Sequence, residues 1–251
     1  MFKTVITRSP NKRICEAFKS NSSLEFHFFP YYKYESYSIN KNFIKNISKG
    51  HFDWVIITSY KSWKLLRKQL DTNGMHISNQ TKIAAFGPET AGRIIQSGGK
   101  VNFTKNVKNS SHFSLLLSKL LEDKTKIAYP ASSAAGGQIE KIFSQANMQI
   151  TRQNLYKPNS ILDYNKIKEM IYSFNPNAIV FLSAASAKLF IKKCSKELLN
   201  KIKYVKLFAI GTETASVLEA YTCKNIGIPD YPSINILSKM IFDFAERDGT
   251  E

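Results

Sequence analysis

Six short stretches of the chain have residues suited to holding an anionic ligand. They are Thr7-Arg8-Ser9-Pro10, Thr58-Ser59-Tyr60-Lys61-Ser62, Gly87-Pro88-Glu89-Thr90, Ala131-Ser132-Ser133, Leu182-Ser183-Ala184-Ala185-Ser186 and Gly211-Thr212-Glu213-Thr214. Each links a short apolar run to an amphipathic stretch, the pattern of a strand turning into the N-terminus of a helix. The first amides of a helix have no intrahelical acceptor and sit at the positive end of its dipole, so such turns accept carboxylates or phosphates. Serine and threonine hydroxyls add donors. The same residue types serve as ordinary N-caps, so no single turn identifies a site. Glu89 and Glu213, in first helical turns, suit the dipole and read as structural.

The sequence has no GxSxG, GxxxxGK[ST] or strand-following GxGxxG motif. Cys15, Cys194 and Cys223 are widely separated and lack CxxC spacing. His27, His51, His76 and His112 form no HExxH or HxH pattern. Neither a disulfide framework nor a metal site is expected. An enzyme with these residues would act mainly by binding and orienting a reactive substrate.

The elements that must carry the six turns are arranged twice. Asp53-Trp54-Val55-Ile56-Ile57-Thr58-Ser59 returns as Asn177-Ala178-Ile179-Val180-Phe181-Leu182-Ser183. Ile83-Ala84-Ala85-Phe86-Gly87-Pro88-Glu89-Thr90-Ala91 returns as Leu207-Phe208-Ala209-Ile210-Gly211-Thr212-Glu213-Thr214-Ala215, and Lys3-Thr4-Val5-Ile6 as Lys126-Ile127-Ala128-Tyr129. Three segments in one order, about 124 residues apart, make the chain two copies of one unit. The first copy predicts strands over 2–6, 24–29, 54–58, 82–86 and 101–103, with helices over 10–20, 38–49, 61–71, 88–97 and 111–121. The second predicts strands over 125–129, 149–155, 178–182, 206–210 and 224–226, with helices over 133–146, 163–173, 185–199, 212–221 and 233–246. Gly136-Gly137 falls inside one of these helices. Strands apolar on both faces and alternating with helices imply α/β architecture: two doubly wound parallel-sheet domains with a cleft between them. Residues 30–37 and 155–160 mix extended formers with Pro and polar residues at matching places, and are expected to connect the domains.

Lys and Arg number 36 against 19 Asp and Glu, leaving a formal charge of +17. The surplus suits a polyanionic ligand. Only six of the 36 basic residues are Arg, the side chain on which bidentate phosphate and base recognition leans, so a nucleic-acid partner is not expected. No apolar run approaches membrane-span length, and Met1 to Arg8 lacks the pattern of a secretion signal. A cytoplasmic protein without a membrane partner is expected.

The paired Gly-x-x-Thr-Ala and Ser-rich turns on duplicated α/β units are where the chain resembles the uroporphyrinogen-III synthase family. Ala209-Ile210-Gly211-Thr212-Glu213-Thr214-Ala215, Val180-Phe181-Leu182-Ser183-Ala184-Ala185-Ser186-Ala187, Leu155-Tyr156-Lys157-Pro158 and Ile6-Thr7-Arg8-Ser9-Pro10 carry the likeness. The resemblance implies exchanged strands: one discontinuous domain of 1–32 plus 158–251, another of 35–155, and a two-stranded connector. It implies cyclisation of the linear tetrapyrrole hydroxymethylbilane to uroporphyrinogen III, with loss of water and inversion of ring D, on the way to haem, sirohaem or cobalamin. It also implies that no cofactor is used and that the substrate brings eight carboxylates. Tyr156 would act on the leaving hydroxyl. Thr7, Arg8, Thr58, Ser59, Lys61, Gly87, Thr90, Ser132, Ser183, Ala185, Ser186, Gly211, Thr212 and Thr214 would bind substrate. A monomer is expected, with a transient contact to the enzyme that makes hydroxymethylbilane as the one protein partner considered. The sequence departs from the family after strand 125–129, where Pro130-Ala131-Ser132-Ser133 replaces an Arg-Gly turn and any arginine contact is expected to be lost. The alternative reading is a non-enzymatic, two-lobed cytoplasmic binding module for a small polyanionic ligand.

Overall fold

The computed structural model describes residues 1–19, 23–161, 164–221 and 226–248. Cys223, and parts of the segments expected over 10–20, 163–173 and 224–226, lie outside the described residues. The chain divides into two compact units, Met1–Lys33 with Pro158–Glu251, and Tyr34–Lys157.

The discontinuous unit is built on a five-stranded sheet. Its strands are β1 (Phe2–Ile6), β2 (Leu24–Phe28), β9 (Ala178–Phe181), β10 (Lys206–Ala209) and β11 (Ile226–Gly227), in the order β11-β10-β9-β1-β2. Every neighbouring pair in it is parallel. Helices α1 (Lys12–Ala17), α7 (Tyr164–Glu169), α8 (Ala184–Lys193), α9 (Lys196–Ile202), α10 (Thr212–Glu219) and α11 (Ile234–Asp248) connect or flank these strands.

The second unit has a six-stranded sheet of order β3-β8-β7-β4-β5-β6. Its strands are β3 (Tyr32–Ser36), β4 (Trp54–Ile57), β5 (Lys82–Phe86), β6 (Phe103–Lys105), β7 (Lys126–Ser132) and β8 (Gln149–Ser160). Its helices are α2 (Lys41–Ser48), α3 (Tyr60–Thr72), α4 (Gly87–Gln96), α5 (Ser110–Ser118) and α6 (Gln138–Gln145). The pairs β8-β7, β7-β4, β4-β5 and β5-β6 are parallel.

The central strands β4 and β9 are short and wholly apolar because both of their faces are covered. Along β4, Val55 and Ile57 enter one buried cluster with Trp63, Leu66 and Ile83, while Ile56 enters another with Phe113, Ile127 and Tyr129. Side chains alternate across a strand, so a three-layer unit needs apolar residues at every position. Helix α3 shows the complementary pattern, burying Trp63, Leu66 and Leu70 on one face. In the other unit Phe2, Ile6, Val180, Phe208, Leu237 and Ile241 form the corresponding cluster.

The two stretches expected to form a two-stranded connector are strands: residues 32–36 form β3, and β8, beside it, continues unbroken through Tyr156 to Ser160. Three local features differ from the sequence expectation. The helix expected over 185–199 is two helices: Cys194 is extended, and Ser195 caps α9 by accepting the Leu198 amide. The helix expected over 133–146 begins only at Gln138, so Gly136 and Gly137 belong to a turn. Beyond α7 the backbone widens into a π turn over Met170–Phe174, ended by the left-handed Asn175 (φ 47°).

Candidate active site

In each unit, the residues singled out by sequence stand at the carboxyl ends of the strands, where ligands of parallel sheets bind, except Tyr156, which lies within β8 opposite the end of β7. The discontinuous unit holds Thr7 and Arg8 after β1, Ser183, Ala185 and Ser186 after β9, and Gly211, Thr212 and Thr214 after β10. The other unit holds Thr58, Ser59 and Lys61 after β4, Gly87 and Thr90 after β5, and Ser132 and Tyr156 on β7 and β8.

Ser59 N-caps α3 by accepting the Ser62 amide at 3.2 Å. Its Oγ also lies 3.0 Å from Ser62 Oγ and 3.1 Å from the Tyr156 hydroxyl. Tyr156 is buried, its ring packed edge-on to Tyr34 at 5.2 Å. The Lys61 ammonium stands over this ring pair, 4.2 Å from the Tyr34 centroid and 5.3 Å from that of Tyr156. A cation over aromatic faces is held electrostatically. The arrangement therefore gathers a phenol, two hydroxyls and an ammonium around one strand end. Gly87 begins α4 with φ +76°, a conformation natural only to glycine, and no side chain caps this helix. Arg93 stacks on Tyr60 at 3.8 Å.

The discontinuous unit repeats the serine pair with a different result. Ser183 caps α8 by accepting the Ser186 amide at 3.1 Å. Ser186 is fully buried and its Oγ donates to the Ser183 carbonyl at 2.8 Å. The tyrosine that arrives here is Tyr31, whose hydroxyl donates to the Ser186 backbone carbonyl. Tyr31 is fully buried, and burial is the main cause that pushes its phenol well above the usual tyrosine range, against the opposing hydrogen bond at Ser186. Thr7 is also fully buried, donating from Oγ1 to the Val180 carbonyl at 2.6 Å. Thr214 is buried, its amide on the Gly211 carbonyl at 3.1 Å. Thr212 keeps a buried Oγ1 with no hydrogen-bond partner among the described residues.

Sequence reasoning missed Tyr31, Tyr34 and Arg152. The two tyrosines were hidden in a segment read as a connector. Arg152 lies mid-strand, where nothing in the sequence signals the turn it reaches. Arg152 Nη2 donates to the carbonyls of Ser132 and Ala135 at 2.6 and 3.0 Å.

Parallel α/β units with capped, hydroxyl-rich helix starts at their strand ends define a class of proteins that hold ligands with backbone amides and hydroxyls. A family model described as uroporphyrinogen-III synthase HemD matches residues 14–239, and the chain belongs to that family. Among curated relatives, a porphyrin biosynthesis protein HemD of Ruminiclostridium josui is 24% identical over 178 residues, covering 70% of this chain and 35% of its own length. A chloroplastic uroporphyrinogen-III synthase of Oryza sativa subsp. japonica is 26% identical over 205 residues, covering 79% and 65%. The chain thus spans about a third and about two thirds of these two relatives. A mutant uroporphyrinogen III synthase of the extremely thermophilic bacterium Thermus thermophilus superposes with TM-score 0.69 at 14% identity, over 99% of this chain and all of that one. The uroporphyrinogen-III synthetase of Helicobacter pylori gives 0.62 at 15%, over 97% and 100%. The family match does not favour the binding-module reading. Among the described residues, no helix is long and apolar enough to cross a membrane.

Proposed function

We propose that the chain converts hydroxymethylbilane to uroporphyrinogen III, losing water and inverting ring D, without a metal or organic cofactor. The observation that carries this reading is the family match over residues 14–239. In the proposed reaction the Tyr156 hydroxyl donates its proton to the departing hydroxyl group. The C–O bond breaks, water leaves, and the pyrrole N–H of the same ring gives up its proton, which restores the phenol and leaves an azafulvene. Attack by the substituted carbon of ring D gives a spirocyclic pyrrolenine, whose rearrangement and closure produce the inverted ring.

The Ser59–Tyr156 contact supports the role of Tyr156 because it fixes the phenol oxygen without committing it to a backbone carbonyl. The remaining residues bind the eight carboxylates: Thr7, Arg8, Ser183, Ala185, Ser186, Gly211, Thr212 and Thr214 in one unit, and Thr58, Ser59, Lys61, Gly87, Thr90 and Ser132 in the other. The +17 charge suits such a substrate. Domains of 1–32 plus 158–251 and of 35–155, with 30–37 and 155–160 as connectors, belong to the same proposal. So do a monomeric, cytoplasmic enzyme and a transient contact with the enzyme that supplies hydroxymethylbilane.

The test is a product assay with freshly generated hydroxymethylbilane. Products are oxidised, and uroporphyrin isomers I and III are separated. Enzyme-dependent isomer III is the expected result. Isomer I alone, formed at the spontaneous rate with folded protein, would overturn the proposal.

A further inference from the structure

Arg152 lies on β8, four residues before Tyr156. Four of its five guanidinium N–H groups are committed within one short region. Nη1 meets Glu140 Oε1 at 2.7 Å, Nε donates to Asn154 Oδ1 at 2.9 Å, and Nη2 takes the Ser132 and Ala135 carbonyls. Both members of the ion pair are largely sheltered, with side chains 22% and 25% exposed. The planar fork of arginine suits such a many-armed clamp, and lysine cannot reproduce it.

The clamp acts where the register of β7 and β8 breaks. Ala131 faces Asn154, but Ser132 faces Tyr156, so Leu155 is passed over in a bulge. Bulges re-aim side chains, and this one sets Tyr156 against the turn that follows β7. In a trans peptide the carbonyl and amide point to opposite sides. Arg152 holds the Ser132 carbonyl on one side, and the amide of that same peptide, Ser133 N–H, donates to the Tyr156 carbonyl on the other at 2.8 Å. One rigid peptide thus links the guanidinium to the backbone of Tyr156.

We infer that Arg152 is a positioning residue for Tyr156: through the Ser132–Ser133 peptide it fixes where the phenol stands. The inference rests on the proposed role of Tyr156.

The experiment is a double-mutant cycle of Arg152→Gln and Tyr156→Phe, read as kcat, KM and the share of isomer III, with Arg152→Lys alongside. Circular dichroism and thermal melting report folding. Arg152→Gln is expected to lower kcat about tenfold with KM within about twofold, and to lower the share of isomer III. Arg152→Lys should recover part of the loss. In the Tyr156→Phe background Arg152→Gln should cost less than about twofold more, because its target is already gone. If Tyr156→Phe turns over normally, the role of Tyr156 fails and the inference falls with it. If Tyr156→Phe is impaired while Arg152→Gln is normal, or the two effects multiply independently, the inference alone fails. Should Arg152→Gln not fold, the cycle is run with Arg152→Lys under the same criteria.

Discussion

Two tyrosines meet two serine pairs in this molecule, and their fates differ. A spacing of 124 residues relates Ser59 to Ser183 and Ser62 to Ser186, and it relates Tyr156 to Tyr32. Yet the hydroxyl that reaches Ser186 belongs to Tyr31, one residue away, and it ends on a backbone carbonyl. Tyr156 ends on a side-chain hydroxyl instead. A phenol given to a buried carbonyl is a structural tie, because removing it strands an acceptor. A phenol beside a rotatable hydroxyl can exchange that partner for a ligand. Duplicated sequence therefore does not imply duplicated chemistry: a one-residue change in which side chain points at the turn separates a strut from a candidate acid.

The largest expected effect tests that separation directly. Tyr156→Phe should lower kcat roughly a hundredfold, in the range of a lost proton donor, and move KM little. Steady-state kinetics with isomer analysis measures this, and an unaltered rate would place Tyr156 with Tyr31 as packing. Tyr31→Phe should show the mirror image, with turnover retained and about 1 to 2 kcal/mol of stability lost in chemical denaturation. Its pH dependence follows from the raised phenol. The folded value lies above the unfolded value of about 10, so this stabilisation is complete below that pH and is lost as pH rises beyond it. The wild-type chain should lose stability more steeply than Tyr31→Phe in alkaline titrations.

Smaller effects sharpen the comparison. Ser59→Ala and Ser183→Ala each remove a helix cap, worth about 1 kcal/mol in melting experiments. They should diverge kinetically, with Ser59→Ala lowering kcat and Ser183→Ala acting on KM; equal profiles would erase the distinction between the two turns. Smallest of all, Thr214→Val should raise KM about threefold if its hydroxyl meets a substrate carboxylate. Identical kinetics would leave Thr214 as part of the helix start, the role that its bond geometry already fills.

Much of the fold is legible because apolar runs such as Trp54–Ile57 and Ala178–Phe181 are unambiguous, and Ser59 and Ser183 stand where caps are needed. What was not legible depended on neighbours distant in sequence. Strand β3 lies in a Pro- and Tyr-rich stretch with weak alternation; it is expected only as one half of the two-stranded connector that the resemblance implies, and its bounds are set by lying beside β8. The break at Cys194–Ser195 interrupts a periodicity that runs on in sequence. Arg152 reads as an ordinary polar strand residue, since its importance comes from carbonyls 17 and 20 positions away.

The strand orders also bear on how the chain is born. Sheet β11-β10-β9-β1-β2 joins the first two strands of the first repeat to the last three of the second. Thr4 pairs with Ala178, across most of the length of the chain. Residues 34–157 are contiguous and can close while synthesis continues, but β1 and β2 must wait for β9 to leave the ribosome. Pairings this distant carry a large loop-closure cost and form slowly. Until β9 is made, β1 and β2 therefore present an unmatched edge, exposed to pairing with other chains. Splitting the gene at the repeat boundary would give two halves with neither sheet complete in either one.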